Sequence, residues 1–159
     1  MQPKADIVAL KPVENSDAKK KVSEAAIRCF NQYGPQRTSM ADIAEEAGIS
    51  RKTLYRIFDD RPALIDYILR ERMYVLGEKL RKKLVQYTDF EEALIEGSIY
   101  AVRVSREDKL FNEIVKRDTN HRVEMLLLGP TDQLLSDIVD LWSIVVTPAL
   151  EKGAIRDDL

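Results

Sequence analysis

Residues 38–61 read TSMADIAEEAGISRKTLYRIFDDR, and the fold turns on this stretch. Ser39-Met40-Ala41-Asp42 has the form of a capping box. The serine hydroxyl can accept the amide three residues on, and the acid there can reach back to the serine amide. A helix is therefore predicted to start at Ser39, with Ile43, Ala44 and Ala47 as its buried stripe. Gly48-Ile49 makes a tight turn, which suits a glycine at positive φ. Ser50 can cap a third, short helix from Arg51 to about Phe58. Two short helices joined by a glycine turn have the geometry of a helix-turn-helix.

The third helix divides by residue type. Ile49, Leu54 and Phe58 can face inward, while Arg51, Lys52, Thr53, Tyr55 and Arg56 cluster as polar or amphipathic residues. In the major groove, arginine and lysine pair with guanine edges or phosphates, and hydroxyls bond phosphate oxygens. Helix amino ends add oriented amides for phosphate. The same residues also fit a solvated, charged face on a small helical bundle, and the pattern leaves both readings open.

Working outward, Val22, Ala25, Ala26, Cys29, Phe30 and Tyr33 fall on one face of a first helix that opens near Ala18 and stops at Gly34-Pro35. Cys29 lies on that apolar face, which favours core packing over redox sensing. Residues 1–17 carry two prolines and no helical period and are expected to form a flexible arm. The alternative is a basic arm that brings Lys4 and Lys11 near phosphates. Downstream, Pro62 suits the first turn of a fourth helix running to about Gln86, with Leu64, Ile68, Leu69, Leu76, Leu80 and Leu84 near one side. Thr88-Asp89-Phe90-Glu91 has the form of a capping box for a fifth helix to about Val104. Ser105-Arg106-Glu107-Asp108 does the same for a sixth, with Leu110, Phe111, Ile114 and Val115 apolar. Thr119–Leu128 reads as helix and Gly129-Pro130 breaks it. A last helix runs from about Thr131 to Lys152, bent near Pro148 and ended by Gly153. The fold class expected is all-α.

The whole chain sets the frame. It has 159 residues, 33% charged and 45% hydrophobic, with a formal net charge of −2. Residues 1–64 hold 11 Lys/Arg against 9 Asp/Glu, and residues 65–159 hold 14 against 18. A modestly basic head on an acidic body suits a protein that touches phosphates at one end. One cysteine excludes an intrachain disulfide framework and a cysteine-based zinc site. With neither a signal peptide nor an apolar run of membrane-spanning length, a cytoplasmic protein is expected, with no membrane partner.

The residues Ala25-Ala26, Phe30, Gly34, Thr38-Ser39, Ile43-Ala44-Glu45-Glu46-Ala47-Gly48-Ile49-Ser50, Thr53-Leu54-Tyr55 and Phe58 together resemble the amino-terminal signature of the TetR family of transcriptional regulators. The likeness spans about Val22 to Leu64 without a gap. It implies phosphate contacts from Thr38, Ser39 and Thr53, and backbone or base contact from Tyr55. Arg51 and Lys52 take base-reading positions, with Arg56 beside them, and Arg61 replaces a phosphate-binding lysine at the start of helix four. Two positions depart from the pattern. Ile57 stands where a histidine is frequent, and Ala41 stands where a longer polar residue often reads DNA. The stretch Pro148–Arg156 resembles one that commonly precedes the family's final helices.

The resemblance implies a domain plan: an arm (1–17), a three-helix DNA-binding head (18–64) and a helical ligand-binding and dimerisation body (65–159). It implies a ligand-responsive repressor that acts as a homodimer on a palindromic double-stranded DNA operator. A small-molecule effector in the body would change the spacing of the two heads. Tyr100, Phe111, Met125 and Trp142 are candidate lining residues, each with core packing as the plainer role. His121, the single histidine, has a surface role as its plainer reading. No metal effector and no cofactor are expected. Leu159 falls early for the family, so the last two helices, which would pair with a twin, are expected to be missing. The apolar side of the Thr131–Lys152 helix, with Leu135, Val139, Trp142 and Val146, is a candidate substitute interface, and without one the chain is expected to pair weakly. The rival readings are an enzyme and a helical interaction module. The first lacks a phosphate-cradling glycine cluster, an HExxH and a nucleophile elbow, and its adjacent acids point apart. Salt-sensitive duplex binding separates a regulator from the second.

Overall fold

The computed structural model describes residues 16–116 and 132–155. Among the described residues every regular element is a helix: α1 (Asp17–Tyr33), α2 (Met40–Glu46), α3 (Arg51–Ile57), α4 (Arg61–Leu84), α5 (Phe90–Glu107), α6 (Lys109–Lys116) and α7 (Asp132–Glu151). Met125, His121, the arm before residue 16 and the Thr119–Leu128 helix lie outside the described residues. No described helix is long and apolar enough to cross a membrane. Among the described residues no group of three His, Cys, Asp or Glu is placed to hold a metal.

The chain divides by packing into two compact units. The first, hereafter the head, holds described residues 16–73 and 108–116. In it α1, α2 and α3 pack against one another in all three pairings, and α6 packs on α1. Val22, Ala25, Ala26, Cys29, Phe30, Ile43, Ala44, Ala47, Leu54, Phe58, Leu64, Ile68 and Leu69 are buried, as the helical spacing predicts. Tyr33 departs from its stripe: as the last residue of α1 it is exposed. Cys29 is buried, donates to the Asp42 carbonyl, and has its thiol pushed up by that burial, a packing role. Polar ties join distant elements. Ser23 Oγ donates to Glu71 Oε2 (3.0 Å), and Tyr67 OH donates to Glu71 Oε1 (3.3 Å). Burial and the Glu71 charge push the Tyr67 hydroxyl up to about 12. Arg72 pairs with Asp108 at 3.0 Å.

The second unit, the body, holds described residues 74–107 and 132–155. Its core is Leu80, Leu84, Ala93, Leu141 and Val145, with Tyr87, Phe90, Tyr100, Ala101, Trp142 and Ile144 packed around it. Gly97 lets α5 approach the end of α4: a Cβ there would lie 2.5 Å from Leu84 Cδ2, while Trp142 of α7 at 3.5 Å would be in ordinary contact. At the end of α7 the Gly153 amide bonds the Leu150 carbonyl and the Ala154 amide bonds the Ala149 carbonyl. With Gly153 at φ +67° this is a Schellman close.

Two capping expectations need correction. Asp89, not Thr88, caps α5: its carboxylate accepts the Glu92 amide at 2.8 Å. Asp108, not Ser105, caps α6 by accepting the Phe111 amide at 2.9 Å. Ser105 sits inside α5 and donates back to the Val102 carbonyl. Both a hydroxyl and a carboxylate can cap, so a segment holding both offers two starts. The helix took the aspartate each time.

Candidate nucleic-acid interface

The interface is assembled by helix ends. Ser39 Oγ accepts the Asp42 amide (3.2 Å), and Asp42 Oδ2 accepts the Ser39 amide (2.7 Å) and hydroxyl (2.8 Å), closing the predicted capping box. These Ser39 bonds, backbone first, hold the Asp42 carboxyl below the usual carboxylate range, and the Arg51 charge adds to them. At the other end of α2, the Gly48 amide bonds the Glu45 carbonyl and the Ile49 amide bonds the Ala44 carbonyl, with Gly48 at φ +65°. This pair of hydrogen bonds is again a Schellman close, and it needs the left-handed residue that glycine supplies. Ser50 Oγ then accepts the Thr53 amide at 3.1 Å and starts α3.

α3 is held by one fully buried residue, Leu54, followed by buried Phe58 at its end, whose ring meets Tyr67 edge-on at 5.3 Å. Ile49 is half-buried. Arg51, Lys52, Tyr55 and Arg56 all project from the helix and are exposed, Tyr55 by 48%. Among the described residues none of the three cations has an ion-pair partner. Three charges and an aromatic ring therefore project from the surface of the second helix of the motif. In a helix-turn-helix that surface enters the major groove.

Other predicted contact residues lie elsewhere. Ser39 is exposed. Thr53 is half-buried and its hydroxyl lies 2.9 Å from Ser50 Oγ. Thr38 is 3% exposed and donates its proton to the Gly34 carbonyl at 3.0 Å, so its hydroxyl has a partner within the head. Arg61 is half-buried and its Nη2 donates to the Pro35 carbonyl. Arg37, two residues before Ser39, is an exposed cation as well.

Of the pocket candidates, the three that are described do not all lie in one unit. Tyr100 and Trp142 pack on the core of the body, half-buried. Phe111 belongs to the head, brought there by α6 packing on α1. A cavity of about 310 Å³ opens between the start of α5 and the end of α7. Phe90, Ile144, Val145, Pro148 and Lys152 line it, and neither Tyr100 nor Trp142 does.

A three-helix head with a glycine-turned helix pair, continued by a helical body, defines the helix-turn-helix regulators with an all-helical second part. The sequence profile described as bacterial regulatory proteins, tetR family, matches residues 23–68. Over those residues the chain matches the family's amino-terminal domain. An uncharacterised HTH-type transcriptional regulator of Mycobacterium tuberculosis is 33% identical over 88 residues, 55% of this chain and 44% of the relative. The HTH-type transcriptional repressor KstR2 of Rhodococcus jostii is 27% identical over 139 residues, 86% of this chain and 67% of the relative. The chain thus spans less than half of the first relative's length and about two thirds of the second's. Two solved structures share the fold. The fatty acid degradation regulator FadR of Bacillus halodurans has a TM-score of 0.65 at 19% identity, covering 92% of this chain and 75% of that one. Thermus thermophilus FadR, a TetR family repressor in complex with lauroyl-CoA, has a TM-score of 0.62 at 22% identity, covering 89% and 72%.

Proposed function

We propose that this chain is a sequence-specific DNA-binding transcriptional regulator, a repressor that a small-molecule effector releases from its operator. The observation that carries the reading is the free outer face of α3, where Arg51, Lys52, Tyr55 and Arg56 are exposed on a helix anchored from behind by Leu54. In this reading Arg51 and Lys52 read base edges, while Tyr55, Arg56 and Ser39 position the head on the backbone. One head buries little surface on DNA, so the functional unit is a two-fold dimer on a palindromic site with half-sites about one helical turn apart. Val139 of α7 is 66% exposed and suits a pairing surface. Trp142, packed on the core, belongs to the fold instead. The Leu135 side chain lies outside those described.

The test is selection of bound sequences from random duplex DNA, followed by footprinting titrations of the selected site. Lys52→Ala and Tyr55→Ala should each weaken specific binding by about 1–3 kcal/mol, roughly fivefold to 150-fold, with far-UV circular dichroism unchanged. Unchanged affinity in both variants would remove α3 from the role of recognition helix. For the effector, the Thermus structure makes an acyl-CoA, lauroyl-CoA itself, the first ligand to try. Trp142 is the single tryptophan, so its fluorescence reports binding in the body directly. Lauroyl-CoA should change that signal and release the selected duplex; a ligand that does neither is not the effector.

A further inference from the structure

Arg61 is the first residue of α4, the end of a helix where the backbone dipole disfavours a cation. Asp60 offsets this by capping the helix: its carboxylate accepts the Ala63 amide at 2.7 Å. The Arg61 side chain turns back into the head. Its Nη2 donates to the carbonyl of Pro35, 26 residues earlier, and its Nε is buried without a hydrogen-bond partner. Pro35 is itself buried. The backbone carbonyls that follow α1 are therefore held in two ways. Gly34 accepts the Thr38 hydroxyl and the Arg37 amide, and Pro35 accepts Arg61. The short loop they belong to ends at Ser39, which caps α2. Whatever fixes that loop fixes where α2 begins.

We propose that Arg61 is a positioning residue: its guanidinium clamps residues 34–39 to the start of α4, and so aims Ser39 and α2 at DNA without giving its charge to a phosphate. Arginine fits the role better than lysine. Its planar fork presents a donor to a carbonyl at a fixed angle and is less strongly hydrated than an ammonium group. A nitrogen donated inward and a second one buried are the opposite of what a phosphate ligand needs. The clamp rests on the DNA-binding reading for its purpose but not for its existence, and the test separates the two.

Two variants discriminate. Arg61→Met keeps the apolar stem and removes every donor and the charge. Arg61→Gln removes the charge and keeps an N–H donor. Hydrogen exchange of the free protein reads the loop directly. Arg61→Met should speed exchange across residues 36–39 on the order of tenfold, the loss of one charge-assisted hydrogen bond, and Arg61→Gln should restore much of the protection. Both should melt cooperatively, since neither empties a packed site. The second arm is binding to a random-sequence duplex across a salt series. Arg61→Met should weaken binding with the slope of log K against log salt unchanged, and Arg61→Gln should recover it. Unchanged loop exchange in Arg61→Met overturns the clamp. A slope reduced by about one in both variants overturns it too, since that marks a lost phosphate contact. If the unaltered protein binds no duplex, the DNA reading falls while the exchange arm still decides the clamp.

Discussion

In the head, chain direction is set by short polar side chains at helix ends. Ser16, Ser39, Ser50, Asp60 and Asp108 cap α1, α2, α3, α4 and α6, and Gly48 turns the chain between α2 and α3. In the body, what fixes α5 against α7 is contact between apolar surfaces. Leu84, Ala93, Leu141 and Val145 meet there, and a glycine in mid-helix leaves room for Leu84. The difference follows from element length. α2 and α3 have seven residues each, too few to be stable by propagation, so their ends must be satisfied. α5 and α7 have 18 and 20 residues and can rely on a packed stripe.

The largest effect should come from the place where the head does depend on packing. Leu54 is the buried anchor of α3. Leu54→Ala should cost about 2–5 kcal/mol and abolish duplex binding as α3 detaches. Denaturant titration alongside a binding assay checks this. Wild-type stability would show that the caps alone hold α3.

Next are two glycine substitutions that oppose the two mechanisms. Gly97→Ala in the body should cost about 1–3 kcal/mol because its methyl overlaps Leu84. The partner change Leu84→Ala should make that cost vanish, a coupling readable in a double-mutant cycle of thermal melts. Gly48→Ala in the head meets nothing within 4 Å, and its cost, about 1–2 kcal/mol, is purely the left-handed backbone. No neighbouring truncation should rescue it, whereas Gly48→Asn should cost less than alanine, since asparagine tolerates that conformation. Additive costs at Gly97 and Leu84, or equal costs for Ala and Asn at Gly48, would erase the distinction.

The same contrast explains what could be read in the sequence. Head boundaries were legible because caps are local: Ser39 and Asp42 are three residues apart, and so are Ser50 and Thr53. The apolar stripes of α1 and α4 were legible for the same reason, being periodic. Where hydroxyl and carboxylate sit side by side, as at Thr88-Asp89, local pattern allows two starts, and the helix begins from the carboxylate. What was not legible depends on contacts between distant residues. Thr38 and Arg61 look like surface donors in a list of polar residues, yet each is turned to a carbonyl of the 34–35 turn. Phe111 looked like a pocket residue of the body, and α6 packs it with the head. The exposed face of α3 was legible because an inward Leu54 and Phe58 leave Arg51, Lys52, Tyr55 and Arg56 no other side.

The smallest predicted effect asks what kind of electrostatics each region uses. The Asp42 carboxyl lies below the usual range chiefly because of hydrogen bonds from neutral Ser39. The Glu78 carboxyl in the body lies below it chiefly because of Arg81, whose Nε is 3.0 Å away. A carboxyl whose value is lower folded than unfolded stabilises the fold above the ordinary range near pH 4 and loses that contribution as pH falls through the depressed value. The melting midpoint of Asp42→Ala should therefore trail the unaltered protein at neutral pH and converge with it in acid, and Glu78→Gln should behave likewise. Salt separates them. An ion pair at the surface is screened, so high salt should narrow the Glu78→Gln gap at neutral pH. Neutral donors are not screened in this way, and the Asp42→Ala gap should persist. A gap at Asp42 that closes with salt would mean that the Arg51 charge, and not the capping box, holds the start of α2, and the head would then be no different in kind from the body.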